Sequence, residues 1–160
     1  RAQQILFEIV PGVTAATAAA AAATATLTDR RLASSLVILT GHRCAPAASL
    51  PLLADSEQTT YAIYMPGPGY SATARDLLRA GLDASIPCAL VSRAGRSDQQ
   101  VYRMPLAHLS SHPPVPAPAV LIVGRVMAVA ESAENLTAHI LPLQVGERAG
   151  AESHRQPLAD

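Results

Sequence analysis

Apolar and polar positions divide this chain into short elements. Residues 5–10, ending Leu6-Phe7-Glu8-Ile9-Val10, read as a short buried strand broken by Pro11-Gly12. Residues 13–24 are mostly alanine, the strongest helix former, and predict a helix with a surface small enough for close packing. Ser35-Leu36-Val37-Ile38-Leu39-Thr40 is β-branched and apolar and predicts a strand ending at Gly41-His42. Residues 43–58 carry Ala, Pro and Ser and read as a loop with room for one helical turn. Thr60 to Met65 predicts the next strand, stopped by Pro66-Gly67-Pro68-Gly69. Ala74, Leu77, Leu78 and Gly81 fall at helical spacing, so a helix is expected over 71–80. Strands follow at 87–91 and 99–104. The proline-rich segment 112–118 reads as a stiff extended linker. Ala119 to Val123 predicts a strongly apolar strand, and a helix is expected from about 125 to 138. The polar stretch from Gly146 is expected to be disordered. Strands that alternate with helices, then a strand pair, predict an α/β layer fold with a mixed sheet.

Composition narrows the function classes. A chain of 160 residues fits one domain, or one domain with part of another. No apolar run is long enough to span a membrane, so no membrane partner is expected. Lys+Arg and Asp+Glu balance at 12 each, and there is one Phe and no Trp. A basic field and stacking platforms are therefore both missing, which argues against nucleic acid. Cys44 and Cys88 lie far apart and outside any C-x-x-C pattern, and read as free thiols of a reducing cytoplasm. The opening Arg1-Ala2-Gln3-Gln4 lacks an export ramp and a Met, which leads to the expectation of a cut amino edge.

Candidate chemistry collects at strand ends. Val10-Pro11-Gly12-Val13-Thr14-Ala15-Ala16 brings backbone N–H groups and a hydroxyl to one point, which suits a polar or anionic ligand group. A plain turn with Thr14 as helix cap is the other reading. Tyr64-Met65-Pro66-Gly67 lies at a strand's carboxyl end, where α/β proteins bind ligands, or is simply a rigid turn. His42 and Arg43 end another strand and could meet an acidic substrate, or could be ordinary loop residues. Asp29-Arg30-Arg31 carries the same two readings. His108 and His112 are four apart but lack an acidic partner between them and precede Pro113-Pro114, so no metal site is expected.

Taken together, "VPGVTAATAAAAAATATLTDRRLASSLVILTGHR", "YAIYM", "PCALVSRAGRSDQQV" and "PAVLIVGRVMAV" resemble, in order and spacing, the uroporphyrinogen-III C-methyltransferases. These are S-adenosylmethionine-dependent tetrapyrrole methylases of sirohaem and cobalamin synthesis. The resemblance covers about residues 5–138. It implies a two-domain α/β fold, usually a cytoplasmic homodimer, with S-adenosylmethionine and the tetrapyrrole in the cleft between domains. By it, residues 1–12 are the last strand and linker of a truncated amino-terminal domain. Residues 13–140 are the mixed-sheet carboxyl-terminal domain, and 141–160 a disordered tail. Pro11, Gly12, Thr14, Ala15, Met65 and Ala94 match cofactor-contacting positions, and His42 and Arg43 fall to the substrate side. No catalytic residue is assigned, because the family's glycine-rich loop, its Gly-Gly-Asp segment and its proton-transfer residues have no counterpart here. Pro66 replaces the family's usual glycine and removes a backbone donor.

The reaction implied is methylation of two pyrrole carbons of uroporphyrinogen III, giving precorrin-2, with this chain a fragment of the enzyme. Two rivals stay open. One is a non-catalytic domain keeping only dimer or product contacts; the other is a related methylase acting on a different substrate.

Overall fold

Period-two alternation along the strands decides which helix packs where. The structure is a computed structural model and describes residues 8–41, 57–67 and 69–129. In chain order the elements are α1 (Ala15–Ala22), β1 (Ser35–Thr40), β2 (Thr59–Tyr64), α2 (Ser71–Arg79), β3 (Pro87–Ser92), β4 (Gln100–Pro105), α3 (Leu106–Leu109) and β5 (Ala119–Val123). A short 3-10 turn, Arg125–Ala128, follows β5. The strands form a mixed sheet of order β1-β2-β5-β3-β4. β1 and β2 pair in parallel, and the other pairs are antiparallel. β2 and β3 therefore run the same way, on either side of β5.

Register sorts the core into two layers. Tyr61 and Ile63 lie level with Val123 and Leu121, and these with Cys88 and Leu90. That row packs against Tyr70, Ala74 and Leu77 of the α2 region and Leu106 and Leu109 of α3. The intervening residues Ala89, Val91, Val120 and Ile122 face the other way, onto Ala19 and Ala20 of α1, its C-cap Ala23, and Val126 and Met127 of the 3-10 turn. The alanines let α1 lie close to the sheet, as the sequence suggests.

Side chains from the sheet hold α1 at both ends. The hydroxyl of Tyr64, at the carboxyl end of β2, accepts the Ala16 amide at 3.0 Å. Arg103, on β4, donates to the Ala23 carbonyl and, at 3.4 Å, to the Met127 carbonyl. A guanidinium at a helix carboxyl end satisfies orphan carbonyls and opposes the helix dipole.

Several expectations need correction. The described part of the strand expected at 5–10 is not in a strand: Glu8–Val10 has no regular structure, and Ile9 is 83% exposed. An apolar run becomes a strand only where a neighbour supplies a ladder, and no described strand pairs with it. The helix expected over 13–24 is shorter, because Thr14 caps it and Thr24 turns left-handed at φ 47°. Met65 lies outside β2, also left-handed at φ 48°. The helix expected from 125 begins as the 3-10 turn, and the rest of that span lies outside the described residues. So do Cys44 and the segment from 141 onward. The "linker" 112–118 is fastened to the sheet side: Val115 N–H donates to Tyr70 Oη at 3.1 Å, and Ser92 Oγ donates to the Pro116 carbonyl at 2.5 Å.

Candidate functional site

The parallel strands β2 and β3 deliver Met65 and Ala94 to one end of the sheet, just past Tyr64 and Ser92. The amino end of α1 comes to the same end, because the Ala16–Tyr64 bond leaves the Thr14-Ala15 turn one residue from β2's own terminus. Tyr64 and Ala94 both pack against the cluster that α1 forms with the sheet. Pro11, Gly12, Thr14 and Ala15 are exposed there, Met65 is 55% exposed, and Ala94 is half-buried. The structure thus brings Thr14, Ala15, Met65 and Ala94 toward one end of the sheet, while Pro11 and Gly12 lie in the exposed segment leading into α1. His42 and Arg43 lie outside the described residues.

Local chemistry of the turn is specific. Thr14 is the N-cap of α1 and its Oγ1 accepts from Thr17 N–H at 3.4 Å, while Thr17 Oγ1 donates to the Thr14 carbonyl at 2.9 Å. With Ala16 N–H bound by Tyr64, two first-turn amides are already used inside the protein. Residues 12–15 are exposed, and the Thr14 hydroxyl, accepting from Thr17, keeps its own hydrogen to donate. That is a neutral, main-chain surface, better matched to a nucleoside or amino-acid moiety than to a bare multivalent anion.

Across from the turn, Met65 is held in its left-handed conformation by Gly41. The Gly41 amide donates to the Tyr64 carbonyl at 2.7 Å. A Cβ on Gly41 would lie 2.4 Å from the Met65 carbonyl oxygen and 2.9 Å from Pro66 Cα. The end of β1 therefore abuts the Met65–Pro66 peptide with no room for a side chain. On the β3 side, Arg93 is left-handed at φ 53° and its amide donates to the Pro118 carbonyl at 2.8 Å. Its guanidinium pairs with Asp98, which Arg96 also reaches at 3.3 Å. Burial raises the Asp98 carboxyl, but the hydrogen bonds from Arg93 and Arg96 outweigh it and leave it below the usual range.

Arg31 grips Asp29 through Nε at 3.0 Å and Nη2 at 2.8 Å, which favours the solvated-loop reading of that segment. His112 stacks edge-on against Tyr102, with ring centroids 4.7 Å apart. The cavities of about 370, 420 and 540 Å³ are lined by other residues, the first at the opposite end of β3 around Ile86, Pro87 and Arg125. Among the described residues the wall is exposed at Thr14, Ala15 and Met65.

Two contributors were not singled out from sequence: the Tyr64 hydroxyl and Gly41. The strand alternation carried a signal for the first. Tyr61 and Tyr64 are three residues apart, so they must face opposite sides of the sheet, and only the second can reach α1.

Residues 1–110 match the sequence profile of the Tetrapyrrole (Corrin/Porphyrin) Methylases. The chain is 42% identical over 130 residues to the uroporphyrinogen-III C-methyltransferase of Paracoccus denitrificans, covering 78% of this chain and 45% of that protein. It is 39% identical over 128 residues to siroheme synthase 1 of Klebsiella pneumoniae, covering 77% of this chain and 26% of that protein. The fold superposes on the crystal structure of uroporphyrin-III-C-methyltransferase from Thermus thermophilus with a TM-score of 0.64 at 31% identity, covering 82% of this chain and 55% of that one. A structure of the Thermus enzyme complexed with S-adenosylhomocysteine gives a TM-score of 0.62 at 28% identity, over 79% of this chain and 54% of that one. The chain thus spans less than half the length of these curated relatives.

Proposed function

The chain belongs to the tetrapyrrole (corrin/porphyrin) methylases, and from that premise we propose that it forms one wall of the active cleft of a uroporphyrinogen-III C-methyltransferase. The observation that carries the reading is the convergence of the Thr14-Ala15 turn, Met65 and Ala94 at one end of the sheet, tied by the Ala16–Tyr64 bond. The likeness to an enzyme solved with S-adenosylhomocysteine supports S-adenosylmethionine as the methyl donor. The donor set fits: small residues, main-chain polar atoms and an exposed thioether side chain allow close approach without adding charge.

S-adenosylmethionine supplies a methyl carbon bonded to a sulfonium, and a pyrrole carbon displaces the sulfur in line. The C–S bond breaks and a C–C bond forms; the methylated carbon is then quaternary, so the balancing proton must leave from elsewhere on the macrocycle, a pyrrole N–H or a bridging carbon. None of the residues named here is assigned to that proton. Their contribution is orientation: the Gly12–Ala15 backbone and Thr14 hydroxyl engage polar groups of the donor, while Met65 and Ala94 supply apolar walls. Holding two reactants in register can supply several kcal/mol, on the order of 7–11 where alignment is ideal.

We assign His42 and Arg43 to the tetrapyrrole's carboxylates, since Arg pairs carboxylates bidentately. The second cleft wall belongs to residues outside this chain, a reading supported by the greater length of the relatives. A cytoplasmic homodimer completes the proposal. Among the described residues no helix is long and apolar enough to cross a membrane, and Cys88 is a free thiol. The full-length protein, given S-adenosylmethionine and uroporphyrinogen III under reducing conditions, should yield a product bearing two added methyl groups, heavier by two CH2 units once the protons are lost. Recovery of unmodified substrate, with the same protein competent on another tetrapyrrole, would move the reading to a related methylase.

A further inference from the structure

Tyr64 links all three strands of backbone that build the site wall. Its hydroxyl accepts the Ala16 amide at 3.0 Å, its carbonyl accepts the Gly41 amide at 2.7 Å, and Met65 follows it directly. The residue belongs to β2, yet it fixes the amino end of α1 across a sequence separation of 48 residues. We propose that Tyr64 is a positioning residue for the methyl donor: its hydroxyl sets the spacing between the Thr14-Ala15 turn and Met65.

This rests on the proposed reading of the site as the donor's wall. The argument is geometric. The Thr14 side chain satisfies only the Thr17 amide, so the Ala16 amide needs another acceptor, and the sheet supplies it from the strand that leads into Met65. Any drift of α1 along the sheet would separate the two halves of the wall, and this bond resists that drift. The far end of the same helix is held separately, by Arg103 at the Ala23 carbonyl. The protein therefore offers two restraints on one helix, and only one of them borders the site.

That pair makes the idea testable in the full-length protein. Tyr64→Phe removes the acceptor and keeps the ring; Arg103→Met loosens the opposite end. S-adenosylhomocysteine affinity is read by calorimetry and fold by thermal melting. Tyr64→Phe should weaken binding about threefold to tenfold, the range expected when a single hydrogen bond required by the bound state is lost. Arg103→Met should lower the melting temperature comparably, yet move affinity less than about twofold. In steady state, Tyr64→Phe should raise KM for S-adenosylmethionine and leave KM for the tetrapyrrole unchanged.

Equal weakening by both variants would show a general effect of helix stability and overturn the proposal. Unchanged affinity in Tyr64→Phe would overturn it too, while leaving the donor-wall reading intact. Failure of the wild-type protein to bind S-adenosylhomocysteine would instead sink that reading. Should Tyr64→Phe not fold, amide exchange on the wild type decides. The Ala16 amide should be protected well beyond that of Ala15, and equal exchange would contradict the bond.

Discussion

Replacing Gly41 by alanine puts the site's backbone geometry under direct strain. The added Cβ would meet the Met65 carbonyl oxygen at 2.4 Å, Pro66 Cα at 2.9 Å and the Met65 carbonyl carbon at 3.1 Å. All three are main-chain atoms, so no side chain can swing aside. Gly41 is not in a left-handed conformation, so the cost is steric and not a matter of φ. Overpacking of this kind costs about 1–3 kcal/mol, and a clash with backbone belongs near the upper end. Since 1 kcal/mol shifts the midpoint by roughly 2–4 °C in a chain of 160 residues, a fall of about 5–10 °C is expected. The 2.7 Å bond from Gly41 N–H to the Tyr64 carbonyl would stretch as well, displacing Met65. Melting should be followed by circular dichroism beside Gly69→Ala, whose Cβ meets nothing within 4 Å. A Gly41→Ala protein melting within about 2 °C of both wild type and that control would refute the close approach.

Other groups make independent predictions. Burial pushes the Cys88 thiol up to about 12 from 9.0, so it should resist disulfide reagents at pH 8 in a Cys44→Ser background until the protein unfolds. The neutral thiol is the form favoured by folding; its contribution is complete below pH 9.0 and is lost as pH rises toward 12. Cys88→Ala should therefore show a flatter alkaline melting profile. Hydrogen bonds from Arg31 depress Asp29 from 3.8 to about 2. Its contribution is present above pH 3.8 and disappears as pH falls through 2, so Asp29→Asn should lose that segment of the acid melting profile.

Much of the layer order was legible in the sequence. β1 and β5 coincide with the apolar β-branched runs that predicted them, and β3 and β4 differ by a residue at one or both ends. β3 and β5 bury both faces, whereas β1 and β4 are at most half-buried and were legible from β-branched and aromatic residues. The four-residue α3 was not legible, since one turn is too short to show a period. The Ile9-Val10 run misled for a different reason: apolar character records an appetite for burial, and only a neighbouring strand satisfies it. At the site, Pro-Gly turns after apolar runs marked both halves of the wall. Their meeting was not readable, because it depends on a hydroxyl and an amide 48 positions apart. The left-handed φ of Met65 was equally hidden, as it follows from the closeness of Gly41 and not from Met65's own preference.

The most direct test of the donor wall is a ¹H–¹⁵N titration of the full-length protein with S-adenosylhomocysteine. The account predicts that the amides of Gly12, Thr14, Ala15, Met65 and Ala94 shift together and saturate with one affinity. Shifts gathered instead around Ile86 and Arg125, at the other end of β3, would contradict it.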